Sequence, residues 1–419
     1  MWPKHKCSSV GRRAGLAAGI AAAALAAAFS PALWAQQAKE IKVAVIAPIS
    51  GPWARQGQLI QMGAEMAVDE INQKGGIKSM GGAKLKLVLA DAGDSAEKAK
   101  NAAQRLIAQE PDLVGGTGAW LSTFTLAVTE VTERAQLPWL TLSFADSITD
   151  RGFKYVFQTS PIASAQSLGA VPAINDLAKA ATGKTLATAG IIGDNTASPV
   201  AFLKPMREGT LAKVGIKVLM DETYTPPLSD ATPLIQKVRS TRPEVLIFVS
   251  TTISDFKLGL EKMNEFRLAK GVIPVVGNGA QMGAPEVLKN VPADLLEGVM
   301  FIVADWGMKG QESIIEMFKK RTGEPWITQD AITGYGDMWI LKEALESARS
   351  ADKVKVAEQI RKMNLQEGPA AQVFPGGVQF DEKGRRMNAP LVIVQWQKGV
   401  PVTVAPADRA LAKPYWPKQ

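Results

Sequence analysis

The chain has 419 residues and carries 48 Lys and Arg against 40 Asp and Glu, a formal charge of +8. Its single histidine, His5, and single cysteine, Cys7, both fall within the first 35 residues. Beyond them no imidazole can act as a general base and no thiolate as a nucleophile; neither residue can ligate zinc or form a disulfide. An enzyme here would have to rely on carboxylate, Lys or Tyr chemistry.

Residues 1–35 have the features of an export leader. Lys4, Lys6, Arg12 and Arg13 form a basic start, residues 14–33 are Ala-rich and apolar, and the segment ends P-A-L-W-A at Ala35. Weakly apolar Ala and Gly, closed by Pro31, favour cleavage near Ala35 over a retained anchor. Cys7 precedes the apolar stretch, which argues against a lipid anchor, and Gly15 and Leu16 fit the twin-arginine pattern poorly, which favours the ordinary secretory route. Loss of the leader's four cations lowers the excess of eight to four. No dense run of Lys and Arg with interleaved aromatics follows, so a nucleic-acid surface is not expected. The remaining length exceeds what one core usually holds and predicts two domains.

From Glu40 onward, short Val- and Ile-rich runs alternate with stretches of helical period, the pattern of parallel sheet covered by helices. Strands are expected at residues 41–47, 84–90, 112–115, 139–142 and 155–158, with helices at 56–72, 96–109 and 122–135. The alternation restarts after Pro161, with strands at 185–192, 216–223, 245–249, 272–276 and 299–302. Helices at 165–180, 199–214 and 254–267 accompany them. From Gln311 the chain turns mainly helical to about Met363. Short strands at 378–380 and 391–396, joined through a turn at 381–384, close it. Trp139, Trp339 and Trp396 fall inside expected elements and read as core residues.

Three glycine-rich signals resemble nucleotide loops and fail on detail. Gly183, Lys184 and Thr185 precede a strand instead of following one, and Ala178 stands where a phosphate loop needs glycine. Gly116 and Gly118 are followed by Leu121 in place of a third glycine, and Gly277 and Gly279 are similarly incomplete. Tight turns account for all of them. In open parallel sheets ligands bind beyond the carboxyl ends of strands, which here selects residues 50–53, 118–122, 143–146, 193–196, 250–252 and 278–281. These loops combine Ser, Thr, Asn and Gly with Trp53, Trp120 and Phe144, as suits a pocket that hydrogen-bonds a head group and packs an apolar body. Ser122 either caps the helix it begins or helps that helix start hold a carboxylate. Ser143 either stabilises a turn or touches ligand; Trp53, Trp120 and Phe144 either pack or face it.

The opening I-K-V-A-V-I-A-P-I-S-G-P-W-A-R-Q-G and the following A-V-D-E-I-N-Q-K-G-G-I resemble the start of periplasmic leucine/isoleucine/valine-type solute-binding proteins of ABC transporters. The likeness continues through G-A-W-L-S-T-F-T-L-A-V, D-S-I-T-D-R-G-F-K-Y-V-F-Q-T-S-P, A-I-T-G-Y-G-D-M-W and V-Q-F-D-E-K-G-R-R. The resemblance implies an α/β type I periplasmic binding protein fold, two Rossmann-like lobes joined by three crossovers. Residues 39–159 with 306–376 would form one lobe and 160–305 with 377–419 the other, with crossovers near 159–161, 304–306 and 375–377. It also implies first-lobe ligand contacts at Trp120, Leu121 and Ser122 and at Ser143, Phe144 and Ala145. Second-lobe contacts would fall near Asn195, Thr251, Asn278 and Gly279. The family's acidic partner for an ammonium group is not evident at Gly279; Asp194, then Asp305, are the substitutes the sequence offers. The expected molecule is a periplasmic, monomeric binding protein without cofactor or metal that delivers a small carboxylate to a membrane permease. A sensory protein serving a receptor, or an enzyme on the same fold, are the alternatives.

Overall fold

The computed structural model describes residues 40–417, so the expected leader and its cleavage at Ala35 lie outside the described residues. The first sheet is parallel and formed by β1 (Glu40–Ala47), β2 (Lys84–Asp91), β3 (Gly116–Gly118), β4 (Trp139–Thr141) and β5 (Val156–Gln158), in the order β2-β1-β3-β4-β5. Beyond its first residues β1 is buried on both faces, as its unbroken Val–Ala–Val–Ile run requires of a sheet covered on both sides. Helix Ala54–Gln73 buries Leu59, Ile60, Ala64, Ala67 and Ile71 at helical spacing, and Gly75 and Gly76, both at positive φ, turn the chain out of it.

The second sheet contains β6 (Thr188–Asp194), β7 (Lys217–Tyr224), β8 (Val245–Val249), β9 (Val275–Asn278) and β10 (Met300–Val303), all parallel. Two short strands, β11 (Asn364–Leu365) and β12 (Val378–Gln379), pair with each other. The late strands β13 (Val392–Gln397) and β14 (Val400–Ala405) then extend the second sheet antiparallel beyond β10, giving the order β14-β13-β10-β9-β8-β6-β7.

The chain passes between two sets of cores three times. After β5, helix Ala163–Thr182 buries Ala170, Val171 and Ile174 beneath the second sheet. After β10 the chain returns: helices Glu312–Thr322, Gln329–Ala348 and Lys353–Arg361 place Phe318, Ile332, Leu341 and Ile360 in the first core. Val378 and Phe380 still pack in that first core, whereas Val392 and Val394 lie in the second. Arg386, fully buried between them, ties the passages together. Its guanidinium donates to the carbonyls of Thr159, Pro375 (2.8 Å) and Gly377 (3.3 Å) and lies over the Phe374 ring. Burial pushes the carboxyl of Asp305, on the second passage, up to about 8 despite the pull of Arg386.

Several expectations need correction. The helix expected over 199–214 forms over Ala197–Lys213 but is not regular: α-helix to Pro205 widens into a π-helical turn, Met206–Thr210, kinked at Gly209 (φ 119°), before a last α turn, Leu211–Lys213. Val378 and Gln379 pair with β11 and Phe380 bridges to Arg386, none of them with 391–396, and the turn after them runs beside β5 through a bond from the Gln158 N–H to the Gly384 carbonyl. Helix Thr232–Thr241 and strand β14 were not anticipated. The strand expected at 112–115 forms three to four residues on, at β3 (Gly116–Gly118), although the Val114 N–H already bonds the Lys42 carbonyl. Trp139, Trp339 and Trp396 are buried as expected. No described helix is long and apolar enough to cross a membrane.

Candidate ligand-binding site

The first wall begins where β3 can no longer continue. Gly118 adopts φ 117°, and a Cβ there would stand 2.1 Å from the Ile46 carbonyl oxygen, so only glycine fits. Ala119 and Trp120 follow in the left-handed region at φ 66° and 51°, a strained pair of non-glycine residues of the kind that functional sites retain. The Trp120 indole N–H donates to Asp330 Oδ1 at 2.9 Å, which fixes the ring. Burial raises the Asp330 carboxyl to about 7. Helix Ser122–Arg134 then starts with Leu121, not Ser122, in the capping position. The Ser122 hydroxyl instead accepts the N–H groups of Phe144 (3.2 Å) and Ala145 (3.1 Å). With its oxygen so engaged, its own hydrogen remains to be donated elsewhere. Ser143 donates to the Trp120 carbonyl at 2.7 Å and lies 2.6 Å from the Thr125 hydroxyl. The two serines therefore lace the loops after β3 and β4 into one surface.

The second wall is organised by a carboxylate. Asp194, at the end of β6, accepts the N–H (2.9 Å) and hydroxyl (2.6 Å) of Thr196 on one oxygen. Its other oxygen accepts the N–H (2.6 Å) and hydroxyl (2.7 Å) of Thr251. Burial raises its pKa while these bonds pull the other way. Four donors fill the acceptor sites of a carboxylate. The Asn278 amide donates to Gln166 Oε1 (2.9 Å) and to the Ile302 carbonyl (3.1 Å), and the Gln281 amide donates to the Ser250 carbonyl. Gly279, at φ 118°, lies directly against the Gln281 amide.

These walls face each other across a pocket with about 390 Å³ free of atoms, part of it open to solvent. Of the residues expected at the site, Trp120, Leu121, Ser122, Ser143, Phe144, Thr251, Asn278 and Gly279 line it together. Trp53, Ala145, Asp194 and Asn195 do not. Trp53 packs edge-on against Phe124, ring centroids 5.4 Å apart, and Ala145 supplies the N–H held by Ser122. Asp194 is consumed by Thr196 and Thr251; Asn195 reaches Thr225. Asp305 lies buried at the second passage, outside the lining. The lining also contains Leu142, Ser198, Pro199, Ala280, Gln281 and Gln329. Ala280 and Gln281 stand inside a loop the strand-end rule had selected, and Ser198 and Pro199 lie just past another. Gln329 opens a helix of the returning segment, and no local signal marks it. None of the lining side chains is charged. Among the described residues no cluster of three or more His, Cys, Asp or Glu could hold a metal ion.

A family model described as periplasmic binding protein matches residues 40–401. Leu/Ile/Val-binding protein homolog 7 of Brucella melitensis is 29% identical over 389 residues, covering 90% of this chain and 94% of its own. Among solved structures, the leucine binding protein LivK of Thermotoga maritima superposes with a TM-score of 0.74 at 21% identity, covering 88% of this chain and 99% of its own. A solute-binding protein of an ABC transporter from R. palustris, in complex with benzoate, gives a TM-score of 0.74 at 17% identity, covering 91% of this chain and all of its own.

Proposed function

This chain belongs to the periplasmic binding protein family, and on that premise we propose that it is the solute-binding component of an ABC importer, capturing a small carboxylate with an apolar or aromatic body. Its fold is the type I periplasmic binding fold, two Rossmann-like lobes joined by three crossovers. We assign residues 39–159 with the segment from 306 to the first lobe, and 160–305 with the C-terminal strands to the second. The sequence set the last boundary at 376/377; the packing of Val378 and Phe380 in the first core favours one between Phe380 and Val392.

The observation that carries the ligand class is the uncharged lining of the pocket. An ammonium group enclosed there without a carboxylate would be strongly disfavoured. Asp194, the substitute the sequence offered, already holds four protein donors. A ligand carboxylate is better served. Leu121 and Ser122 bring the start of a 13-residue helix to the pocket; the Phe124 N–H is held by the Leu121 carbonyl at 2.8 Å, while those of Ser122 and Thr123, one turn too early for an intrahelical acceptor, can serve an anion. The free hydroxyl hydrogen of Ser122 adds a donor. Trp120, Leu142, Phe144 and Pro199 offer flat and aliphatic surface for the body. Leucine and benzoate, named with two of the similar structures, share a carboxylate and an apolar body, and only leucine carries an ammonium. The reading favoured here is the acid without the amine.

The mechanism is capture and closure. A ligand that touches both walls binds the closed form better than the open one and shifts the lobes by that difference. The closed protein, in the periplasm and as a monomer, then presents the unchanged acid to a membrane permease. A calorimetric panel tests this: benzoate and 4-methyl-2-oxopentanoate beside leucine and phenylalanine. Binding of the two amine-free acids is the expected result. Binding of the amino acids alone would overturn it.

A further inference from the structure

Arg55 lies in the first turn of helix Ala54–Gln73, whose Leu59 and Ile60 belong to the first core. Its side chain is 16% exposed and reaches two carboxylates at once: Nη2 is 2.6 Å from Glu324 Oε1, and Nε is 2.6 Å from Glu286 Oε2. Glu324 sits between two helices of the first core. Glu286 lies on helix Pro285–Asn290, whose Val287 is part of the second core. Arg55 therefore pairs once within its own half of the molecule and once across to the other. Beside it the Trp326 indole N–H donates to the Gly283 carbonyl at 2.8 Å, and its ring meets Trp396 edge-on at 5.8 Å. Gln281, two residues before Gly283, and Gln329, three after Trp326, both line the pocket, so this contact lies beside it.

Resting on the reading of two closing lobes, we propose that Arg55 is a positioning residue: an ionic clasp to Glu286 that sets the balance between open and closed forms without touching ligand. The arrangement suits a contact that forms and breaks. The pair with Glu324 holds the guanidinium aimed across the cleft in either form, which reduces the side-chain freedom lost on closure. When the lobes separate, Glu286 keeps a partner on its own helix, Lys289, now 3.5 Å away. Neither ion is left stranded in apolar surroundings, the circumstance that makes a broken buried pair so costly. Because the clasp contacts no ligand, it scales affinity for every ligand by the same factor and leaves selectivity unchanged.

The test reads closure directly, in ligand-free full-length protein with Cys7→Ser and spin labels on cysteines at Gln73 and Asn264, one exposed position in each half. Pulsed electron–electron resonance then gives the fraction closed. The wild type is expected to show a closed population, and Arg55→Gln and Glu286→Gln each to lower it about five-fold. The double variant should go no further than either single one. Lys100→Gln, which breaks a surface pair with Glu130 inside the first half, serves as the control and should change nothing. A wild type with no closed population, unchanged distances in both single variants, or effects that simply add would overturn the clasp. Failure of the acid panel would overturn the ligand assignment and leave this distance result standing.

Discussion

On the first wall of the pocket the loops are held by neutral groups: Ser122 accepts two N–H bonds, Ser143 donates to Trp120, and Thr125 meets Ser143. On the second wall one ion, Asp194, collects four donors from Thr196 and Thr251. A neutral lattice distributes its bonds, so removing one hydroxyl leaves the others in place. A carboxylate concentrates them, and its loss strands every donor at once. The walls differ as well in what backs their left-handed glycines. Gly118 stands against the backbone of β1, whereas Gly279 stands against a side chain, the hydrogen-bonded amide of Gln281.

The largest effect expected from this contrast is on the second wall. Asp194→Ala should lower unfolding stability by about 3 kcal/mol or more, because buried donors lose their acceptor. Urea denaturation checks it, and a loss below about 1 kcal/mol would break the comparison. Next comes the glycine pair. Gly118→Ala should cost about 3 kcal/mol, since backbone must move and the φ is unfavourable. Gly279→Ala should cost less, about 2 kcal/mol, because the atom in the way is a side-chain amide that can shift only by giving up its bond to the Ser250 carbonyl. Its main effect should appear as weaker ligand binding, with differential scanning calorimetry and ligand titration separating the two.

The serines sharpen the comparison within the first wall. Ser122→Ala should weaken binding of a carboxylate by about 1.5–3 kcal/mol, the range for a bond to a charged group. Ser143→Ala should cost only about 1 kcal/mol, since its hydroxyl is already spent on Trp120 and Thr125. Equal losses in titration calorimetry would mean that Ser143 also reaches the ligand. The smallest effect is a pH dependence from Asp330. Its folded pKa, about 7, lies above the ordinary 3.8, so the folded state holds a proton that the unfolded state releases. This group's contribution is then fully present below about pH 3.8 and is lost as pH rises to about 7, with about 1 kcal/mol of the loss falling between pH 6 and 7. Asp330→Asn should make that slope shallower by this amount, leaving the part due to Asp305 and Asp337. A steeper slope in the variant would show that another group dominates.

Much of this was legible from local pattern. Unbroken Val and Ile runs located β1, β8 and β10 because strands covered on both faces tolerate little else. The strand-end rule found the loops carrying Trp120, Ser143, Thr251 and Asn278 because parallel topology alone puts them on one rim. What remained hidden depended on partners distant in sequence. Asp194 looked available to an ammonium until Thr251, 57 residues on, filled its second oxygen. Trp53 looked like a ligand platform until Phe124 occupied its edge. Gln329 reaches the pocket only because the chain returns to the first core after β10. The widened turn after Pro205 was missed because the apolar residues on either side keep helical spacing, while Gly209 changes the backbone.

Arg386 has a mechanical meaning. Three independent strands between two bodies could bend separately, and the bodies would then wobble, twist and slide. A single guanidinium bonded to Thr159, Pro375 and Gly377, with Asp305 of the remaining connection in its field, couples them so that none can flex alone. If the two bodies move, a joint tied in this way is expected to turn about one axis more readily than to bend at a single connection. On the proposed function, a partner that reads the spacing of surface features on the two halves would then meet the same spacing each time they close.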